Sequence, residues 1–336
     1  MQVLVFSAKE YDQQFLTMQQ HADLSLHFTD VRLNEETCQL AAGYHAVCVF
    51  VNDQLNRNVI HKLAELGIKH IALRCAGFNN LDIDAARQNG ISVSRVPEYS
   101  PEAVAEHALS LMMTLNRKTH KAYNRIRESN FSLKGLLGFN LHQKTVGIIG
   151  TGHIGLALVK ILRGFGCNIL CYDPQVNEQA VQHGGQYVAL NELFQQSDII
   201  SLHCPLNSAT HHLINAQNIT QMKSGVMLIN TSRGGLIDTP AVIQGLKNQH
   251  IGYLGLDVYE MESELFFEDL SDTVIQDDIF ERLSSFPNVL ITGHQGFFTK
   301  EALLQIASTT CHNLLLHHQQ QTDQHTYLVR PQDFVQ

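Results

Sequence analysis

At 336 residues the chain exceeds one ordinary compact core and points to two domains. Hydrophobic residues at 44% and charged residues at 16% describe a chain that folds throughout, which excludes a disordered or coiled-coil protein. A net charge of -9 without any long Lys/Arg cluster offers no field for phosphate backbones and argues against nucleic acid as a partner.

The chain opens on MQVLVFSAKEYDQQF, which has no basic leader, long apolar segment or small-residue cleavage site. No apolar run approaches bilayer length, so a soluble, cytoplasmic protein with no membrane partner is expected. Cysteines at 38, 48, 75, 167, 171, 204 and 311 are odd in number and form no C-x-x-C pair, which reads as reduced, buried side chains.

Residues 1 to 99 alternate apolar runs (QVLVFS, LSLHFT, AVCVFV, HIALRCA, ISVSRV) with amphipathic stretches, the rhythm of a parallel sheet covered by helices. Next, Ser100 reads as an N-cap, Pro101 as the first helical residue and Glu102 as a first-turn acid. Val104, Ala108, Leu111, Met112 and Leu115 recur at helical spacing and predict one long helix over 101–122. From Lys144 the rhythm restarts with six strand-like runs: KTVGIIG, NILCYD, DIISLHC, GVMLINTS, GYLGLDV and NVLITGH. A last helix, with Leu303, Leu304, Ala307, Cys311, Leu314 and Leu315 on one face, returns to the first domain ahead of a polar tail. The expected fold is α/β, two doubly wound parallel-sheet domains, Rossmann-like and flavodoxin-like, with an interdomain cleft. Residues 1–99 plus 300–336 form the discontinuous substrate-binding domain, and 100–299 the dinucleotide-binding one.

TVGIIGTGHIG ends a strand with Gly150, Gly152 and Gly155 in G-x-G-x-x-G spacing, and LALVKILRGFG continues as a helix. Such glycines serve a tight turn, close approach of backbone to pyrophosphate, and helix packing on the strand. The helix N-terminus then offers its N–H groups to the phosphates. Asp173 ends the next strand, where a carboxylate can accept from the ribose diol. No Arg or Lys follows in the next several positions to welcome a 2'-phosphate, which favours NAD over NADP.

Hydride transfer to a ketone builds negative charge on oxygen, so the site needs a proton donor, and an anionic substrate needs a cation to orient it. Arg233 follows the apolar run VMLIN and precedes two glycines, at a strand's carboxyl end where open α/β sheets bind ligands. His294 ends the last apolar run in the same way, and a histidine acid benefits from a nearby carboxylate. The stretch after GLDV offers Asp257, Glu260, Glu262 and Glu264, and this reading does not choose among them.

Together GTGHIG, CYDP, SLHCPLNSATHHLIN, MKSGVMLINTSRGGLID, GLDVYE and ITGHQGF resemble the D-specific 2-hydroxyacid dehydrogenase family in order and spacing, over nearly the whole chain. RCAGFNNLDIDAA, VPEYSPEAVAEHALSLMMTLNR and ELFFEDLSDTVIQDDIF resemble its fermentative, lactate-forming branch. The resemblance implies reduction of pyruvate to D-lactate with NADH, by a homodimer or homotetramer. It implies that Arg233 binds the substrate carboxylate, that His294 is the acid/base and that Glu262 is its paired acid. It makes Asp257 the residue that positions the nicotinamide, and puts His153, Ile154, Pro205, Thr231 and Ser232 on the cofactor. It also implies that Ala76 and Gly77 hold the substrate carboxylate through backbone N–H groups, while Tyr99 and Phe297 narrow the pocket. The chain departs from other members in FNNLD for VDNID and TGH for TPH, but keeps Asn80.

Overall fold

A computed structural model describes residues 1–19 and 21–321. The polar tail after 321 lies outside the described residues. The chain divides into two compact units: Met1–Ser100 with the stretch that begins at Phe298, and Pro101–Phe297.

In the first unit, strands β1 (Gln2–Val5), β2 (Ser25–Phe28), β3 (Ala46–Val49), β4 (His70–Leu73) and β5 (Ser92–Arg95) form one sheet in the order β2-β1-β3-β4-β5. All its pairings are parallel. Every residue of β3 and β4 is buried, which explains why these strands are continuous apolar runs without alternation. The helix Lys300–His318 packs on this unit, capped by Thr299, whose side chain accepts from the amide of Ala302. Its buried face differs from the expected one: Leu304 and Leu315 are only half-buried, whereas Asn313 is fully buried and donates to the carbonyl of Arg95 at 3.0 Å.

The second unit holds β6 (Thr145–Ile149), β7 (Asn168–Tyr172), β8 (Gly185–Tyr187), β9 (Ile199–Leu202), β10 (Val226–Asn230), β11 (Ile251–Leu256) and β12 (Val289–Ile291). They lie in the order β12-β11-β10-β9-β6-β7-β8, again all parallel. This is the doubly wound arrangement, with the strand order reversing beside β6. β8 is the strand the sequence pattern does not reveal, because three residues at a sheet edge carry no readable period.

The long helix expected over 101–122 is instead two, Pro101–Arg117 and Thr119–Arg127, with Lys118 between them in the left-handed region at φ 52°. The segment 137–139 fixes the break. Buried Asn116 donates to the carbonyl of Phe139 at 2.7 Å and accepts from its amide at 2.8 Å, and Lys118 Nζ reaches the carbonyl of Leu137 at 2.6 Å. Gly138 lies so close that an added Cβ would sit 2.7 Å from the carbonyl oxygen of Asn116. All seven cysteines are free thiols and six are buried. Among the described residues no helix is long and apolar enough to cross a membrane.

Candidate active site

Sheet register brings the candidate residues of the second unit to one edge. Ile149 pairs with Tyr172 and Leu202, Leu202 with Asn230, Asn230 with Leu256, and Leu256 with Ile291. These are the last paired residues of six neighbouring strands. Gly150, Asp173, His203, Thr231, Asp257 and Thr292 therefore follow them along one carboxyl edge, the ligand-binding edge of a doubly wound sheet.

The three glycines after β6 have different surroundings. Gly150 has φ 93°, and a Cβ there would meet the backbone of His203 and Cys204 at 2.5 Å. Gly155 lets the helix His153–Gly164 lie on the strand, since its Cβ would come 2.0 Å from the carbonyl oxygen of Gly150. Gly152 is the N-cap and faces open space, with nothing within 4 Å of an added Cβ. His153 and Ile154 form the first helical turn, whose N–H groups have no intrahelical acceptor. Asp173 is half-buried and accepts from the amides of Thr151 at 2.8 Å and Gln175 at 3.0 Å, which fixes its carboxylate beside the loop. The Thr151 hydroxyl in turn meets the Tyr187 hydroxyl on β8 at 2.6 Å.

These residues fit a dinucleotide: an open glycine, a helix N-terminus and a carboxylate at the next strand end. At the end of β10 the Thr231 hydroxyl is buried with no hydrogen-bond partner among the described residues, a cost that a bound polar group would relieve. Ser232 donates to the carbonyl of Cys204 at 2.7 Å, tying this loop to the one that carries exposed Pro205.

Arg233 is half-buried, and its Nη1 donates to the carbonyl of Ser232 at 2.7 Å. Among the described residues its other guanidinium N–H groups meet no acceptor and can serve an anion. The loop is pinned by Asn230, whose side chain donates to the carbonyl of Arg233 at 2.8 Å and accepts from the amide of Ser232 at 3.0 Å. Gly234 serves close packing rather than turning: a Cβ there would lie 2.1 Å from the carbonyl carbon of Tyr259 and 2.2 Å from the amide of Glu260.

Of the four candidate acids, Glu262 meets the histidine. Its Oε1 lies 2.8 Å from His294 Nδ1, while its Oε2 accepts from the amide of Tyr259 at 2.9 Å. The short 3-10 turn Glu262–Glu264 bends the chain back and makes that second contact possible. With Nδ1 committed to the carboxylate, Nε2 is left for chemistry. His294 itself adopts φ 53°, a left-handed conformation that a side-chain-bearing residue holds only when its surroundings impose it. Phe267 and Phe297 flank its ring at 5.8 and 6.4 Å between centroids. Glu260 faces His212 instead, at 3.2 Å, and the side chain of Glu264 lies outside the described residues.

Asp257, expected to position the nicotinamide, is held by protein groups of its own. It is 1% exposed, and its two oxygens are taken by Thr292 Oγ1 at 2.5 Å, the amides of Gln295 at 2.9 Å and Gly296 at 2.7 Å, and His107 Nε2 at 3.2 Å. Three of these donors converge on Oδ1, whereas Oδ2 accepts from Gly296 alone and keeps acceptor capacity. Burial pushes this carboxyl up, but the hydrogen bond and charge of His107 and the hydrogen bonds from Thr292 and Gln295 outweigh it and hold it below the ordinary value. Asp257 therefore acts as a strut beneath the turn that follows His294. His107 and Thr292 were not singled out from sequence; the only signal was Thr292 two residues ahead of His294 in TGH.

In the first unit, Ala76 and Gly77 follow β4 and Tyr99 follows β5; all three are half-buried. Their carbonyls are engaged: Arg95 Nη1 donates to Ala76 at 2.9 Å and Cys75 Sγ to Gly77 at 3.2 Å. Among the described residues the amides of Ala76 and Gly77 meet no acceptor, as an anion-binding pair requires. Asn80 braces this loop by donating to the carbonyl of Asp53 at 2.7 Å.

Comparison with known proteins adds to this geometry. Residues 109–296 match the family model of the D-isomer specific 2-hydroxyacid dehydrogenase NAD binding domain. A 2-hydroxyacid dehydrogenase homolog of Haemophilus influenzae is 56% identical over 315 residues, covering 94% of this chain and 95% of its own. D-lactate dehydrogenase of Escherichia coli is 55% identical over 315 residues, covering 94% and 96%. The apo-structure of the Escherichia coli enzyme superposes with a TM-score of 0.89 at 49% identity, over 98% of this chain and all of that one.

Proposed function

The chain belongs to the D-isomer-specific 2-hydroxyacid dehydrogenase family and is an NAD-dependent oxidoreductase, and on that premise we propose that it reduces pyruvate to D-lactate. The observation that carries this reading is the His294–Glu262 pair on the same sheet edge as Arg233 and the glycine loop. The D-lactate dehydrogenase relatives support the choice of pyruvate among 2-oxo acids.

NADH, when bound, supplies the hydride. His294 donates the Nε2 proton to the substrate C2 oxygen as charge builds there, and takes it back in lactate oxidation. Glu262 fixes the imidazole tautomer and orientation. Arg233 holds the substrate carboxylate and stabilises the developing alkoxide, an electrostatic contribution that matters most where water is excluded. The amides of Ala76 and Gly77 also bind the carboxylate, and Tyr99 and Phe297 limit the substrate's third substituent. Residues 1–99 with 300–336 act as the substrate-binding part, and 100–299 as the NAD-binding part.

The test is NADH oxidation with pyruvate, glyoxylate, hydroxypyruvate and bulkier 2-oxo acids, with chiral chromatography of the product. The highest kcat/KM is expected for pyruvate, with D-lactate formed. Failure to form D-lactate sinks the proposal, and a higher kcat/KM for a bulkier acid reassigns the substrate.

A cytoplasmic homodimer or homotetramer completes the reading. Tyr123, Ile126, Phe131, Leu133 and Leu137 are exposed by 57 to 87%, a run of apolar side chains that a second copy would cover. Light scattering on the eluted protein is expected to give a dimer or tetramer mass, and a monomer would remove this part of the proposal.

A further inference from the structure

Outside the residues assigned to the reaction, His211, His212 and Glu260 bring three donor atoms within 4.8 Å of one another. His212 Nε2 lies 3.2 Å and His211 Nε2 3.9 Å from the same carboxylate oxygen, Glu260 Oε1. The two rings stack with centroids 3.9 Å apart and planes 23° from parallel.

Adjacent residues in an extended chain point to opposite sides, so two neighbouring imidazoles face one carboxylate only if the backbone turns between them. Here it does. His212 adopts φ 50°, and its amide donates to the carbonyl of Gly235 at 2.8 Å while the amide of His211 donates to the carbonyl of Asn207 at 2.9 Å. The Asn207 side chain accepts from the amides of Ala209 at 2.9 Å and Thr210 at 3.1 Å, which secures the turn leading into the pair. A left-handed conformation at a residue with a Cβ persists only where its surroundings enforce it, so the paired rings are built into the loop.

We propose that His211, His212 and Glu260 form a three-ligand site for a divalent first-row transition ion, with Zn2+ the best fit. Zn2+ takes nitrogen and carboxylate oxygen at roughly 2.0–2.2 Å, so tetrahedral ligands stand roughly 3.3 Å apart. The Glu260 and His212 donors already have that spacing; His211 must close by about half an ångström on Glu260, by up to about 1.5 Å on His212, and turn out of the ring stack so that both imidazole lone pairs converge on one ion. Its ring, 55% exposed, has the freedom to do so. Two imidazoles with one carboxylate suit Zn2+, Ni2+ or Cu2+ and disfavour Mg2+ and Ca2+, which prefer oxygen throughout. The exposed side leaves room for water as a fourth ligand.

The position gives the ion a consequence. Glu260 rests against Gly234, and His212 hangs from Gly235, so an ion bound here ties the loop after β9 to the loop after β11, with the loop after β10 in contact with both. The loops after β10 and β11 carry Arg233 and Glu262. Binding to the folded state alone stabilises it in proportion to ln(1 + [ion]/Kd).

The experiment uses the full chain, stripped with chelator, and titrates ZnCl2 by calorimetry and CoCl2 by visible absorption. One Zn2+ per chain is expected at micromolar concentration, with a rise in Tm and Co2+ d–d bands of a four- or five-coordinate ion. His211→Ala and His212→Ala each weaken Zn2+ at least ten-fold and remove the Tm rise. The control His317→Ala with His318→Ala, at the other adjacent histidine pair, leaves binding intact. The proposal is overturned if the unaltered chain binds no Zn2+ below millimolar concentration. It is equally overturned if the 211/212 variants bind like the parent, or if the 317/318 control abolishes binding.

Discussion

His294 Nδ1 and Glu262 Oε1 stand 2.8 Å apart, with the other Glu262 oxygen held by the amide of Tyr259 at 2.9 Å. The carboxylate is therefore fixed from behind by backbone, and the imidazole is fixed by the carboxylate. Glu262→Gln keeps the shape and removes the charge. With the imidazole no longer held by a charged partner, pyruvate reduction is expected to fall about 100- to 1,000-fold, within the range general acid catalysis supplies. KM for NADH stays close to that of the parent. A variant with unchanged kcat/KM from pH 5 to 9 removes Glu262 from the mechanism.

Gly234→Ala and Gly152→Ala separate two uses of glycine at one sheet edge. At Gly234 the new methyl would lie 2.1 Å from the Tyr259 backbone, so the loops carrying Arg233 and Glu262 must part. A lower Tm and a loss of kcat/KM together are expected, at a stability cost of about 1–3 kcal/mol for overpacking. At Gly152 nothing lies within 4 Å, so the fold tolerates Ala and Tm without cofactor holds. Fluorescence titration with NADH is where Gly152→Ala shows its effect, because the methyl intrudes where the backbone must approach pyrophosphate. An unchanged NADH affinity refutes that placement.

Much of this arrangement is legible in the sequence for a physical reason. The central strands β3, β4, β9 and β10, buried at every residue, are apolar runs, as strands buried on both faces must be, and the edge strands β2 and β12 keep enough of the pattern to be read. Arg233 and His294 are likewise visible, because a polar residue directly after such a run sits at the ligand-binding edge. The acids are another matter. Asp257, Glu260 and Glu262 lie within six residues, yet they meet three different histidines: His107, His212 and His294. Two of those histidines are far away in sequence, on the helix Pro101–Arg117 and in the loop after β9, so no local spacing could assign the pairs. The helix break at Lys118 is hidden for the same reason, since the segment that enforces it returns twenty residues later.

Thr292→Val tests the strut beneath His294. Thr292 Oγ1 touches Asp257 at 2.5 Å and His107 at 3.0 Å, and Asp257 holds the amides of Gln295 and Gly296. Valine preserves volume and leaves buried acceptor capacity on Asp257 unmet, at a cost of about 1–3 kcal/mol. His294, next to the loosened turn, should lose kcat several-fold with little change in KM for NADH. A Tm and kcat equal to the parent's would show that Asp257 does not need Thr292.

Stability should fall on the acid side in two stages that belong to different residues. Burial pushes the His203 imidazole down to about 4, beside Ser201 Oγ at 2.8 Å. Between about pH 6.5 and 4 the unfolded chain takes up a proton there that the folded chain refuses, so stability declines as pH falls through that window. Because the residue as a whole is only half-buried, the loss is on the order of 1–2 kcal/mol. Asp257, held below its ordinary value, keeps its contribution above about pH 4 and loses it as pH falls through its own lowered pKa. Denaturant midpoints measured from pH 7 to 3 should therefore slope first through the histidine window and again below about pH 4. His203→Asn is expected to flatten the first part and leave the second. A midpoint equal at pH 7 and pH 4.5 in the parent, or the same slope in the variant, contradicts the assignment to His203.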